Sequence, residues 1–145
     1  MNKTLRNKIL RNSTRLIECE YENDTWDSNA YIAVKADIFS DYKLKKDQYI
    51  AETRPKLESI INNGHHYEKV DLLERVGGDI ETIELVSLKN DGVTVVIQAI
   101  FYDFIMSLFK GVKLFVSVDV TRGHEAPVII MQNNEVVALI CPLSK

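Results

Sequence analysis

The last apolar run of this chain, Val136 to Cys141, is hydrophobic on both sides of a strand. Val136, Ala138 and Ile140 point one way and Val137, Leu139 and Cys141 the other, because side chains alternate along an extended backbone. Such a strand is either covered on both faces by its own chain or keeps one face for a partner. The segments before it set its company. Ile100, Phe101, Phe104, Ile105, Leu108 and Phe109 make a wide apolar helical stripe, which Gly111 can cap. Val112, Leu114, Val116, Val118 and Val120 alternate as in a strand, and Thr121 to Glu125 reads as a loop. Pro127 to Met131 is a further strand, joined to the last through Gln132-Asn133-Asn134-Glu135. The final third thus predicts helix, strand, strand, turn, strand.

Upstream, Leu5, Ile9 and Leu10 sit among Lys3, Arg6, Lys8 and Arg11, as in a short amphipathic helix with a basic outer face. That face can be simply solvated or can meet an anion such as nucleic acid, through Lys3, Arg6, Lys8 and Arg11. From Arg15 the period is two. Ile17, Cys19 and Tyr21 form one strand, and Tyr31 to Phe39 a second. Between them, Glu22 to Asn29 reads as a polar loop with Trp26 at its tip, folded back on the sheet. Asp41 to Glu52 fits helix or loop. Residues 54–63 predict a helix, with Pro55 at its start and Gly64 at its stop. Tyr67, Val70, Leu73 and Val76 recur every three residues up to Gly77-Gly78 and predict another. Asp91-Gly92 between two β-rich runs predicts a hairpin. The sequence shows no internal repeat.

At 145 residues the chain fits one domain, 1–145: a basic helix (1–14), a hairpin and helical middle (15–97), and a helix with three strands (98–145). A net charge of −3 argues against a strongly basic nucleic-acid binder, though a local basic face remains open. The expected fold class is α+β, an antiparallel sheet with helices on one face. No run is apolar and long enough to span a bilayer, and no secretory leader is evident, so the expected setting is the reducing cytoplasm.

Catalytic patterns are weak. Adjacent His65 and His66 diverge on either a helix or a strand, so one ion cannot easily take both; no metal is expected. Cys141, near apolar Leu139 and Pro142, reads as a small buried hydrophobe rather than a nucleophile. Gly77-Gly78 lacks the company of a phosphate loop. No cofactor is implied. An enzyme or ligand-binding domain would have to gather scattered residues such as Tyr31, Asp37, His65 and His124.

The end of the chain resembles the last half-domain of bacterial sliding clamps, the β subunit of DNA polymerase III. The residues that carry this are Tyr102-Asp103-Phe104, Val112 to Val118, Ala126-Pro127-Val128-Ile129-Ile130 and Ala138-Leu139-Ile140-Cys141-Pro142-Leu143. Arg54-Pro55-Lys56-Leu57 is similar to an Arg-Pro-x-Leu that opens clamp domains as a strand. The chain departs from the family at Gln98-Ala99, where Phe-Asn is usual, and at Cys141, where Met is usual. The helix from Gln98 to Phe109 carries no Lys or Arg, unlike clamp helices that face DNA. The resemblance implies a clamp-like fold and no enzymatic activity. It implies protein partners with short hydrophobic motifs, of the Gln-Leu-x-Leu-Phe type found in replication and repair factors. Leu139, Cys141, Pro142 and Leu143 would wall their pocket. A clamp subunit has three such domains and this chain has room for one, so a truncated mimic of a host clamp, from a mobile element or phage, is a further expectation. A plain oligomeric interaction module is the other non-enzymatic expectation, seen as a dimer that buries the last strand.

Overall fold

The computed structural model describes residues 1–51, 54–77, 84–90, 92–119 and 126–143. Among them are three helices and eleven strands, in one eight-stranded and one three-stranded sheet. The fold class is α+β.

Helix α1 spans Lys3–Arg11. Asn2 caps it, its side-chain oxygen accepting the Leu5 N–H at 3.0 Å. Arg6, Ile9 and Leu10 share the buried face, at the i, i+3, i+4 spacing of one helical stripe. Strands β1 (Leu16–Tyr21) and β2 (Asp24–Ser28) pair through a two-residue turn. Glu22 and Asn23 there have φ of 50° and 68°, the double left-handed geometry that matches strand twist. The expected long loop over 22–29 is therefore mostly strand, because two residues suffice to turn the chain. Trp26 does fold onto the sheet, but from within β2; it is 0% exposed and meets Tyr21 edge-on at 5.8 Å.

Strand β3 is only Ile32–Val34, and the expected strand to Phe39 stops early. The Asp27 carboxylate there takes the Ile38 N–H, at 2.8 Å, in place of a ladder partner. Strand β4 (Ile50–Ala51) runs parallel to β1. Residues 54–57 continue beside β1, with Glu20 N–H donating to Pro55 O and Leu57 N–H to Glu20 O. This pairing uses backbone groups that a first helical turn would need, so the helix expected over 54–63 shrinks to α2, Glu58–Ile61.

The helix expected from Tyr67 to Val76 is absent. The segment forms strands β5 (Tyr67–Lys69) and β6 (Leu72–Val76). β5 joins the large sheet and β6 the small one. The chain passes between sheets at Val70 and Asp71, whose N–H groups donate to Leu114 O and Lys89 O. Tyr67 packs on one core cluster while Val70 and Leu73 pack on the other. A bent strand crossing between layers thus imitated a three-residue period.

The hairpin of β7 (Leu85–Asn90) and β8 (Val93–Gln98) forms as expected. Gly92 takes φ of 87° in its turn, whereas Asp91 lies outside the described residues. Helix α3 (Ala99–Leu108) follows at once. Then come β9 (Lys113–Ser117), β10 (Val128–Gln132) and β11 (Glu135–Ile140). The expected loop Thr121 to Glu125, with His124, lies outside the described residues.

The large sheet runs β4-β1-β2-β3-β11-β10-β9-β5. β11 is central, paired with β3 on one side and β10 on the other. Its apolarity on both faces is thereby explained: Ala138 and Ile140 are buried against α1, α3 and the small sheet, and Leu139 on the opposite face with Trp26, Leu57 and Ile61. A bulge opposite Ile130 and Met131 breaks the expected alternation, so Val137 joins the first cluster and Val136 the second. The order helix then three-stranded meander occurs twice, as α1-β1-β2-β3 and α3-β9-β10-β11. The two units meet edge to edge at β3 and β11, and their helices pack together. The repetition is one of topology and leaves no trace in the residues.

Candidate functional site

The junction of α1, α3 and the β2–β3 turn encloses an open groove of about 650 Å³. Leu5 and Ile9 from α1 and Ile100 and Phe101 from α3 supply its apolar lining. Lys8, Asn12, Glu84 and Asp103 supply polar lining. Asn29, 3% exposed, builds the turn. Its side-chain oxygen accepts the N–H groups of Tyr31 and Ile32, both at 2.9 Å, and its Nδ2 donates to Ser13 Oγ at 3.1 Å. Ser13 Oγ in turn donates to Ile9 O at 2.6 Å. These bonds fix the turn to the end of α1 and allow Ala30 its φ of 77°. They also present Tyr31, which is 57% exposed yet stacked on Phe101, with centroids 6.3 Å apart and planes 13° from parallel.

The C-terminal tail adjoins this aromatic pair. Cys141 N–H donates to Tyr31 O and Leu143 N–H to Val96 O, both at 2.8 Å. Cys141, expected to be buried, lies past the end of β11 and is exposed, as is Leu143; Pro142 is half-buried. Leu139 is not part of this surface; it is 5% exposed in the core on the far side of the sheet. Cys141 Sγ turns toward Ala30 O at 3.7 Å, and partial desolvation raises its pKa, which disfavours the thiolate. Arg75 holds the Asp103 end of the groove, pairing with both carboxylate oxygens and lying over the Tyr102 ring at 5.8 Å.

A second recess, about 510 Å³, lies between Glu18, Asp27, Asp37 and Ser40. Asp27 is 6% exposed. Burial pushes its carboxyl up to about 6, opposed by the Ile38 N–H that it accepts. A third cluster surrounds His65, whose side chain is 3% exposed. Its Nδ1 is 2.8 Å from Ser117 Oγ and 3.6 Å from Asp119 Oδ2. Serine and aspartate meet the same ring nitrogen, so the imidazole cannot relay a proton between them as a catalytic triad requires. His66 bonds Glu68 instead. Among the described residues no group of three or more His, Cys, Asp or Glu is placed to hold a metal.

Of the expected enzyme residues, the described ones are not gathered: Tyr31 lines the groove, Asp37 the acidic recess, and His65 the β5–β9 edge. Of the expected basic residues, Lys3, Lys8 and Arg11 are exposed on α1. Arg6 is withdrawn: 2% exposed, its Nη1 donates to Ile38 O at 3.3 Å and Ser40 O at 2.7 Å. Its position on the stripe of Ile9 and Leu10 was a readable sign of this. Tyr31 and Phe101 were missed as a pair, since nothing in sequence joins positions seventy residues apart. Compared with known family models, curated proteins and solved structures, the chain matches none. Among the described residues no helix is long and apolar enough to cross a membrane.

Proposed function

We propose that this chain is a non-enzymatic, clamp-like binding protein that receives short hydrophobic motifs of DNA replication or repair factors. The observation that carries the reading is the continuity of the exposed tail, Cys141 to Leu143, with Tyr31 on Phe101 at the groove mouth. An aromatic platform beside an apolar groove suits a peptide with Leu and Phe anchors, since such anchors dominate peptide affinity. The element order α3-β9-β10-β11 and the extended residues 54–57 are what the clamp resemblance implies, and they support it. Dispersal of Tyr31, Asp37 and His65 speaks against an enzyme. A dimer formed by adding a strand to β11 is disfavoured, because β11 has no free edge.

Anisotropy of a fluorescent Gln-Leu-x-Leu-Phe peptide tests this. Saturable binding that weakens about tenfold or more in Tyr31→Ala and Leu143→Asp is expected, the loss of one buried anchor. Binding unchanged in both variants, or no binding to the wild-type protein, refutes it.

A further inference from the structure

The charge of this chain is sorted in space, and the sorting becomes visible only when the 36–48 loop is followed along α1. Arg6 donates to Ile38 O and Ser40 O and lies 5.9 Å from the Tyr42 ring centroid. Lys3 pairs with Asp41 at 3.7 Å. Gln48 Nε2 donates to Leu10 O at 2.8 Å and Ser13 O at 3.1 Å, while its Oε1 accepts from Tyr42 Oη and the Lys45 N–H. The loop is therefore stitched to the helix from the first turn to the last. Lys43, Lys45 and Lys46 lie on this stitched loop, Lys8 and Arg11 on α1 and Arg15 just after it, and all six are exposed.

Residues 1–15 and 41–48 hold eight cations against Asp41 and Asp47, a net of +6, so the remainder of a chain of net −3 carries −9. Stability accounts for part of this: Arg6 is buried on loop carbonyls, Lys3 pairs with Asp41, and Lys8 and Arg11 lie in the last helical turn, where cations suit the helix dipole. α1 contains no acidic residue to offset them.

We propose that α1 and the 41–48 loop form a nucleic-acid-binding surface that neutralises backbone phosphates. The outer face of α1 favours this over a lipid surface: Thr4, Asn7 and Asn12 stand among the cations, and Leu5, Ile9 and Leu10 are turned inward or half-covered. Amides and hydroxyls hydrogen-bond phosphate and sugar oxygens, whereas an interfacial helix needs an apolar face to insert. Tyr49, 76% exposed beside the loop, offers a ring for an unstacked base. Lys8 and Asn12 also line the groove of the proposed peptide site, but Lys43, Lys45 and Lys46 do not, so the loop variant tests this surface alone.

The test is anisotropy of a fluorescein-labelled DNA duplex of arbitrary sequence, and of the matching single strand, across a salt series from about 50 to 200 mM. Vesicles of anionic phospholipid serve as the competing surface. With four to six phosphates engaged, log K falls against log salt with a slope of about −4 to −5 for duplex. Lys43→Glu/Lys45→Glu/Lys46→Glu should weaken binding at least about tenfold and flatten the slope by about 2–3. Lys110→Glu/Lys113→Glu, a control outside this surface, should change neither. Circular dichroism of each variant confirms folding. Tyr49→Ala should weaken only the single strand if that is the physiological form, and neither probe if it is duplex. Absence of DNA binding at the lowest salt, equal loss in the control, an unchanged slope in the loop variant, or binding to vesicles alone overturns the proposal.

Discussion

Asp27→Asn should make the protein more stable at neutral pH and remove part of its pH dependence. The folded carboxyl titrates at about 6 rather than 3.8, chiefly because burial penalises its charge. A raised pKa means that the folded state binds the proton more tightly than the unfolded state does. Asp27 therefore favours folding most below about pH 4, and this contribution is lost as pH rises through about 6. Fully realised, the displacement corresponds to about 3 kcal/mol, at 1.36 kcal/mol per unit. The recess beside Asp27 opens to solvent, so screening reduces the expected figure to about 1–2 kcal/mol. Asparagine keeps an oxygen for the Ile38 N–H and carries no charge. Urea unfolding of both proteins between about pH 4 and 7.5 isolates the effect, because the other carboxylates cancel in the difference. The asparagine variant should gain about 1–2 kcal/mol over the wild type across that range. A difference that stays flat, or that shrinks with rising pH, refutes the reasoning.

Two further substitutions address turns of the scaffold, the first beside the groove and the second at the far end of the β7–β8 hairpin. Asn29→Ala strands the N–H groups of Tyr31 and Ile32 and should cost about 2–3 kcal/mol, read by urea unfolding; a loss below about 0.5 kcal/mol would mean that this turn does not depend on Asn29. Gly92→Ala meets no atom within 4 Å, so its expected cost of about 1 kcal/mol comes from the left-handed φ of 87° alone, and a thermal melt showing no loss would contradict it.

The parts of the fold legible in sequence were those where one local rule decides. Asp91-Gly92 announced its hairpin, and the stripe from Ile100 to Phe109 announced α3. The two-faced run Val136–Cys141 announced a strand either covered on both faces or kept for a partner, and the pairing of β11 along both edges decides for cover. Rules failed where tertiary pairing overrode them. Residues 54–57 found strand partners in β1 before a helix could start. Residues 67–76 crossed between sheets, so their spacing reported two layers rather than one helical face. Glu22-Asn23 turned the chain in two residues and left the polar stretch after it free to be strand. The groove was least legible of all. Its apolar lining comes from two helices nearly a hundred residues apart, and Tyr31 gains meaning only from Phe101 beneath it.

The pairing of β3 with β11 has a consequence for how the chain is made. Ala33 waits for Leu139, more than a hundred residues later, before the centre of the large sheet can close. During synthesis the first helix–meander unit emerges with β3 as an open edge and its apolar faces bare. It stays so until the ribosome has released residues 135–140. Contacts of such long range slow folding, and an unpaired strand edge invites association with other nascent chains. Loss of β11 alone would leave the large sheet without its middle.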